Sequence, residues 1–165
     1  MRFKHHKGHP APSEEIIADL AAILQRKAIT DFCQFEHQSC FSFGEIELQI
    51  EGPWRLQAGD RVVVVGGDTG QLVGETERAE VNAEIADLLD GRTVADVAVD
   101  QRGDLWLRFE GGEQLTAATR SSGVQSWLLE VGTRIFVAEW GGLLEKEQRA
   151  IPDAKDGFWR VLRGG

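Results

Sequence analysis

The chain has 165 residues, of which 42% are apolar and 27% charged, a composition typical of a globular protein rather than a disordered one. Its formal net charge of −9 would repel a phosphate backbone, so nucleic acid is not expected as a partner, whereas a basic protein is compatible with this charge. The apolar runs are too short to cross a bilayer and two cysteines make no disulfide framework, so we expect a cytoplasmic protein with no membrane attachment.

Residues 1–12 lack hydrophobic periodicity and contain two prolines, which predicts a mobile arm. The basic residues at its start are not followed by an apolar stretch, so it is not expected to be a signal peptide. His5, His6 and His9 could bind a transition metal, but a solvated arm is favoured because a metal needs about four rigidly held ligands. We therefore expect no metal and no other cofactor.

The next segment predicts a helix followed by five strands. Ser13 is suited to cap the helix, which should end near Arg26. The third strand alternates apolar residues with Glu and Gln, which predicts a half-buried strand with one solvent-exposed face. The five predicted strands are Ile29–Phe35, Cys40–Phe43, Ile46–Ile50, Trp54–Leu56 and Arg61–Val65.

The same order recurs in the second half of the chain. A helix is predicted from Glu77 to Asp90, with Gly91 as its C-terminal glycine. Gly111 and Gly112 read as a two-residue hairpin turn. After Leu143 the chain is polar, and its last apolar residues suggest a short docking segment. The predicted strands are Thr93–Val99, Leu105–Phe109, Gln114–Ala118, Gln125–Val131 and Arg134–Ala138.

The two halves also align residue by residue. The ten residues from Ile23 match those from Leu88, 65 positions later, and Trp54-Arg55-Leu56 matches Trp127-Leu128-Leu129. This pattern predicts an α+β fold built from two tandem helix-plus-antiparallel-β-meander repeats with pseudo-twofold packing. Whether the repeats form one sheet or two is left open. The expected division is an arm at 1–12, repeat unit 1 at 13–74, repeat unit 2 at 75–142 and a tail at 143–165, the two units sharing one globular domain.

Candidate catalytic residues are few. The apolar strand that leads into Asp68-Thr69-Gly70 resembles the active-site loop of aspartic proteases, which need two carboxylates sharing a proton. The matching position in the second half has no Asp, so a glycine-rich turn is favoured. Hydrolysis through Asp68 in a homodimer stays as the minor enzymatic alternative. Ser121-Ser122-Gly123 does not have the nucleophile-elbow spacing. We therefore expect no enzyme.

Candidate binding residues are mainly aromatic. Trp54 and Trp127 could line a ligand groove, but their matched positions favour a shared role in the core. Strand alternation places Trp106 on the outer face of its strand beside Arg108, a pairing common at protein interfaces. We take Trp106, Arg108 and Trp140 as the candidate interface.

An acidic helix face could extend this interface toward a basic partner. Glu77, Glu80 and Glu84 lie at helical spacing in the second predicted helix. Such a face is most often simply solvated, so it gains a functional meaning only if the partner is basic.

Several motifs together resemble a family of small bacterial proteins classed as a domain of unknown function. They cover roughly residues 20 to 142, and the resemblance implies no catalytic residues. The motifs are Phe41-x-Phe43-Gly44, Trp54-Arg55-Leu56, Leu89-x-Gly91-x-x-Val94, Gly103-Asp104-Leu105-x-Leu107-x-Phe109 and Ser126-Trp127-x-Leu129.

The sequence thus favours a non-enzymatic, cytoplasmic protein-binding module of an immunity or regulatory type that acts through an acidic surface. The alternative is a small-ligand-binding protein whose site lies between the two repeats. The oligomeric state and the identity of the partner are left open.

Overall fold

Two antiparallel β-sheets and two helices make up the part of the chain that the structure, a computed structural model, describes: residues 12–35, 38–66, 83–119, 126–139 and 142–147. Helix α1 covers Glu14–Leu24, and the described part of α2 covers residues 83–89. The strands are β1 Asp31–Gln34, β2 Ser39–Phe43, β3 Ile46–Ile50, β4 Trp54–Ala58, β5 Arg61–Gly66, β6 Val94–Val99, β7 Leu105–Phe109, β8 Glu113–Ala117, β9 Trp127–Val131, β10 Arg134–Glu139 and β11 Gly142–Glu147.

The start of α1 and the end of α2 agree with the prediction, while the predicted start of the second helix at Glu77 lies outside the described residues. The Ser13 hydroxyl accepts a hydrogen bond from the backbone N–H of Ile16 at 3.2 Å, which caps the start of α1. Leu20 and Leu24 are fully buried on the inner face of this helix. At the end of α2, Gly91 has φ +72°, the left-handed conformation that a C-terminal glycine adopts at low cost.

The strands of the two halves are mixed in both sheets. One sheet has six strands in the order β1-β2-β3-β9-β10-β11, and the other has five in the order β5-β4-β8-β7-β6. Every neighbouring pair is antiparallel, and the two halves meet where β3 pairs with β9 and where β4 pairs with β8. The architecture is therefore mainly β and compatible with the α+β class, and the strands form two sheets rather than one.

The hydrophobic core contains residues of both sheets. Leu48 lies opposite Leu129 in the six-stranded sheet, and Leu56 lies opposite Leu115 in the five-stranded sheet; all four side chains are fully buried. Burying a leucine side chain stabilises the fold by about 1.5–3 kcal/mol. All four leucines belong to one hydrophobic cluster, so the two sheets share a core.

Two tryptophans belong to the same core, as their matched positions predicted. Trp54 is 2% exposed and Trp127 is 0% exposed. Each indole N–H donates a hydrogen bond of 2.8 Å, from Trp54 to the Ser39 hydroxyl and from Trp127 to the Gly103 carbonyl. A buried indole needs such an acceptor, because an unpaired buried donor would be destabilising.

The segments that follow the two helices pair with each other in an antiparallel direction. Ala28 and Thr93 form an isolated antiparallel bridge. The Ile29 N–H donates to the Arg92 carbonyl, and the Val94 N–H donates to the Lys27 carbonyl, each at 2.9 Å. This pairing joins the segment after α1 to the segment after α2.

Three details differ from the sequence-based expectations. The strand β11 was missed, because the polar stretch after Leu143 gave no alternation signal, yet it pairs with β10 at six positions. The predicted solvent-exposed face of β3 is wrong: Gln49 is only 2% exposed, and a 2.6 Å hydrogen bond from Gln38 replaces the hydration of its side-chain oxygen. The hairpin turn between β7 and β8, predicted to have two residues, has three, and Gly112 in this turn has φ +92°.

Candidate functional site

Trp106 and Arg108 lie on the outer face of β7, as the alternation predicts. Leu105, Leu107 and Phe109 point inward and are buried, whereas Trp106 is half-buried and the Arg108 side chain is 61% exposed. The five-stranded sheet therefore presents these two side chains away from the core.

The register extends this face across all five strands. Trp106 lies opposite Ala98 and Thr116, and Thr116 in turn lies opposite Arg55. Arg55 then lies opposite Val65 at the edge strand β5. A single row of outward side chains thus connects the indole of Trp106 to β5.

A second, parallel row includes Arg108. It lies between Asp96 on β6 and Gln114 on β8, and the row continues through Gln57 to Val62. We use the term outer face for this surface of the five-stranded sheet, defined by Arg55, Val62, Val65, Trp106 and Arg108.

Val62 and Val65 are the part of the outer face that the sequence analysis missed. They are 45% and 53% exposed, the exposed large hydrophobic residues of the described chain. An uninterrupted run of four valines is typical of a strand but does not show which members reach solvent. The register shift between Leu56 and Gln57 determines which valines are exposed, because it turns Val62 and Val65 toward the same side of the sheet.

The charges on the outer face are exposed and weakly coupled. Arg108 Nη2 lies 3.4 Å from Asp96 Oδ2, and the two side chains are 61% and 62% exposed. An ion pair this exposed contributes on the order of 0–1 kcal/mol and is screened by salt. Arg108 is therefore able to exchange this partner for another carboxylate at little cost.

The remaining candidate residues are not assembled with this face in the part that the structure describes. Glu84 is exposed on α2, while Glu77, Glu80 and Trp140 lie outside the described residues. Asp68, Ser121, Ser122, the histidines of the arm and the segment after Glu147 also lie outside them. Among the residues described, no three His, Cys, Asp or Glu side chains gather as a metal site, and no helix is long and apolar enough to cross a membrane.

An open pocket of about 520 Å³ lies at one end of the six-stranded sheet. Arg26 and Lys27 contribute two cations to its lining, and Glu45 contributes one carboxylate. Val131 and Gly132 line it from the second half of the chain. Trp54 and Trp127 are not among its lining residues, and both are buried with their N–H groups paired.

The pKa values of Glu130 and Glu113, two carboxyl groups elsewhere in the sheets, are shifted in opposite directions. Burial raises the pKa of Glu130, and the charge of Glu47, directly opposite on β3, raises it further. The pKa of Glu113 is lowered, mainly by a backbone hydrogen bond and also by Arg92. Arg92 in addition donates to the Leu88 carbonyl at the end of α2, so the lowered pKa belongs to a structural ion pair.

The comparison with known proteins gives one match. The chain matches the model of the Family of unknown function (DUF6188) over residues 22–146, which covers both sheets. Searches of the curated proteins and of the solved structures found no match. The matched region contains the tryptophan and glycine motifs on which the resemblance was based. The chain therefore belongs to this family of unknown function.

Proposed function

We propose that the protein is a cytoplasmic protein-binding module that docks its partner on the outer face of the five-stranded sheet. The observation that carries the proposal is the combination of a half-buried Trp106 with two exposed valines, Val62 and Val65, on one continuous surface. Thr116 and Arg55 lie between Trp106 and Val65 in the row, so the exposed apolar residues share one face of the sheet, which favours an interaction site there.

Trp106 has the properties of an interface anchor. It lies between Ala98 and Thr116 of the neighbouring strands and is already half-buried, so less side-chain entropy would be lost on binding than from a fully exposed residue. Trp and Arg are the residues most often found at energetic centres of interfaces, and here Trp106 is two residues from Arg108 on one strand face. The exposed arginines would then form a polar rim around an apolar centre.

The partner that fits best is a protein that is basic overall and presents a carboxylate to Arg108. The net charge of −9 would attract a basic partner over a distance and repel an acidic one. The exposed Glu84 of α2 is compatible with this attraction, and Glu77 and Glu80 would add to it. An immunity or regulatory role, in which the module neutralises a basic protein, is compatible with this charge.

We also infer that the fold consists of two repeats that exchange their last strands. The first three strands of each half lie beside the last two of the other, in the orders β1-β2-β3-β9-β10 and β6-β7-β8-β4-β5. The aligned leucines then make equivalent pairs, Leu48 with Leu129 and Leu115 with Leu56. The two hydrogen bonds that flank the Ala28–Thr93 bridge are related by the same exchange, which supports the predicted pseudo-twofold packing.

The binding proposal is tested by measuring affinity rather than capture alone. A protein retained by the tagged full-length chain is purified, and its dissociation constant is measured for the wild type, Trp106→Ala and Arg108→Ala. We expect Trp106→Ala to weaken binding by at least about tenfold, the usual effect of removing an anchor residue. Rising salt should weaken wild-type binding, because the long-range attraction is screened.

Arg102→Ala is the matched control, since Arg102 is an exposed arginine of the same hairpin outside the outer face. It changes the net charge as Arg108→Ala does and should leave the affinity unchanged. Thermal unfolding of each variant shows whether the fold is intact. Full affinity of a folded Trp106→Ala protein would refute the proposal.

The alternative function is binding of a small ligand between the two halves. The pocket beside Arg26 and Lys27 supports it, because both halves line it and its cations would suit a small anion. The expected role of Trp54 or Trp127 in such a site is not supported, since both indoles are buried. A metabolite that stabilises the wild type but not a Lys27→Ala variant would favour this alternative.

A further inference from the structure

We propose that the edge strand β5 pairs with β5 of a second copy of the chain, antiparallel and around a twofold axis. This inference goes beyond partner binding on the outer face, because it concerns the edge of the sheet and not its surface. It uses the repeat relation inferred above for one of its steps.

The first step is the position of β5. Among the residues described, β4 is the only strand that pairs with β5, so β5 is the last strand of the five-stranded sheet as that part of the chain forms it. If the two halves are repeats, β10 of the second half corresponds to β5. On the side away from β9, β10 pairs with β11 at six antiparallel positions. The same position beside β5 is therefore suited to an additional antiparallel strand.

The second step is the composition of β5. Edge strands in soluble proteins usually carry a lysine, a proline or an inward-pointing charge that prevents pairing. After Arg61, β5 consists of four valines and a glycine, and Val62 and Val65 are about half exposed. This strand has a high β-propensity and no charge after its first residue, which favours pairing with another strand.

The third step is the register, and one register is favoured. If Val62 lies opposite Val65 of the second copy, then Val63 lies opposite Val64 and Arg61 opposite Gly66. All six residues of β5 are then paired, and no two like charges face each other. The arrangement is isologous, because each contact occurs twice around the axis.

The same register keeps the outward residues together. Val62 and Val65 lie on one face, and a twofold axis perpendicular to the sheet preserves that face in both copies. The four valines of the pair would form an apolar cluster, with Arg55 of each copy beside it. The two five-stranded sheets would become one continuous sheet with two copies of the outer face.

The experiment measures the molar mass of the full-length chain over a dilution series, by light scattering and sedimentation. The wild type should change from dimer to monomer on dilution. V62K/V65K places like charges opposite each other twice, so the dimer dissociation constant should rise at least about tenfold. V62K/V65E places the new lysine opposite the new carboxylate of the other copy, and should recover self-association to within about threefold of the wild type.

Trp106→Ala is the control, because β4 and β8 separate its strand from the edge, and it should leave the dimer unchanged. Thermal unfolding confirms that each variant is folded. A wild type that is monomeric at every concentration refutes the pairing, as does a dimer that survives V62K/V65K. If the chain is monomeric but Trp106→Ala still abolishes partner binding, the pairing is wrong and the proposed function stands.

Discussion

Arg26 and Gly91 adopt nearly the same backbone conformation at equivalent points after the two helices. Their φ angles are +67° and +72°, and Arg26 is the non-glycine residue with positive φ in the part of the chain described. A left-handed conformation costs a residue with a side chain on the order of 1–2 kcal/mol, whereas glycine adopts it freely. The first half of the chain therefore carries backbone strain that the second half avoids.

We predict that Arg26→Gly stabilises the protein by up to about 1 kcal/mol, because the strain is relieved in the folded state. Gly91→Ala should destabilise it by about the same amount, since a Cβ at Gly91 meets no atom and only the backbone conformation is penalised. Urea unfolding of both variants measures the two changes. Arg102→Gly controls for loss of an exposed arginine, and a destabilised Arg26→Gly protein would contradict the prediction.

At the level of elements, strands with a clear alternation were predictable and their surroundings were not. Leu105–Phe109 and Ile46–Ile50 have the predicted bounds, because apolar residues at every second position define a strand with a buried face. Alternation does not show what covers the other face, so the burial of Gln49 was missed. Nor does it detect β11, whose pairing depends on a neighbouring strand.

The contact between β3 and β9 gives the stability a pH dependence. Glu47 and Glu130 lie directly opposite, and burial together with the Glu47 charge raises the pKa of Glu130. The folded state thus retains the Glu130 proton at a pH where the unfolded chain has lost it. The free energy of unfolding should fall as the pH rises from the ordinary carboxyl value of 4.5 through the raised pKa.

Glu130→Gln should therefore raise the stability at pH 7 by up to about 1 kcal/mol, the upper range for a cross-strand pair of like charges. The free energy of unfolding of this variant should also depend less on pH above pH 4.5 than that of the wild type. Denaturant unfolding over a pH series measures both effects. Glu110→Gln is the control: it makes the same charge change at an exposed turn and should alter neither the stability at pH 7 nor its dependence on pH. A variant that keeps the wild-type pH slope would show that Glu130 is not its source.

At the scale of the whole molecule, local sequence patterns predicted the parts but not their assembly. The matched positions of Trp54 and Trp127 predicted a shared role in the core, and both residues are buried. The pairing of β3 with β9 joins strands about 80 residues apart, and nothing local specifies such a partner. For the candidate site, alternation placed Trp106 outward, whereas the contribution of Val62 and Val65 depends on a register shift that the sequence does not reveal.

The pairing of strands from the two halves makes a specific prediction about the independence of these halves. Leu48 and Leu56 in the first half are buried against Leu129 and Leu115 of the second, so each half alone would expose leucines that are 0% exposed in the intact protein. Each half would also leave β3 or β8 without a neighbour on one side. A unit of about 70 residues has a small hydrophobic core, so this loss of buried surface should prevent it from folding alone.

A protease site inserted between Gly74 and Glu75 tests this prediction. After cleavage the two fragments should stay associated and elute together, because β3–β9 and β4–β8 still hold them. Once separated in denaturant and returned to buffer, neither should unfold cooperatively, and Trp54 of the first fragment should emit as an exposed indole. Mixing the fragments should restore the near-ultraviolet circular dichroism of the intact protein. Cooperative unfolding of either fragment alone would show that the half is an independent domain, since only a complete core gives such a transition.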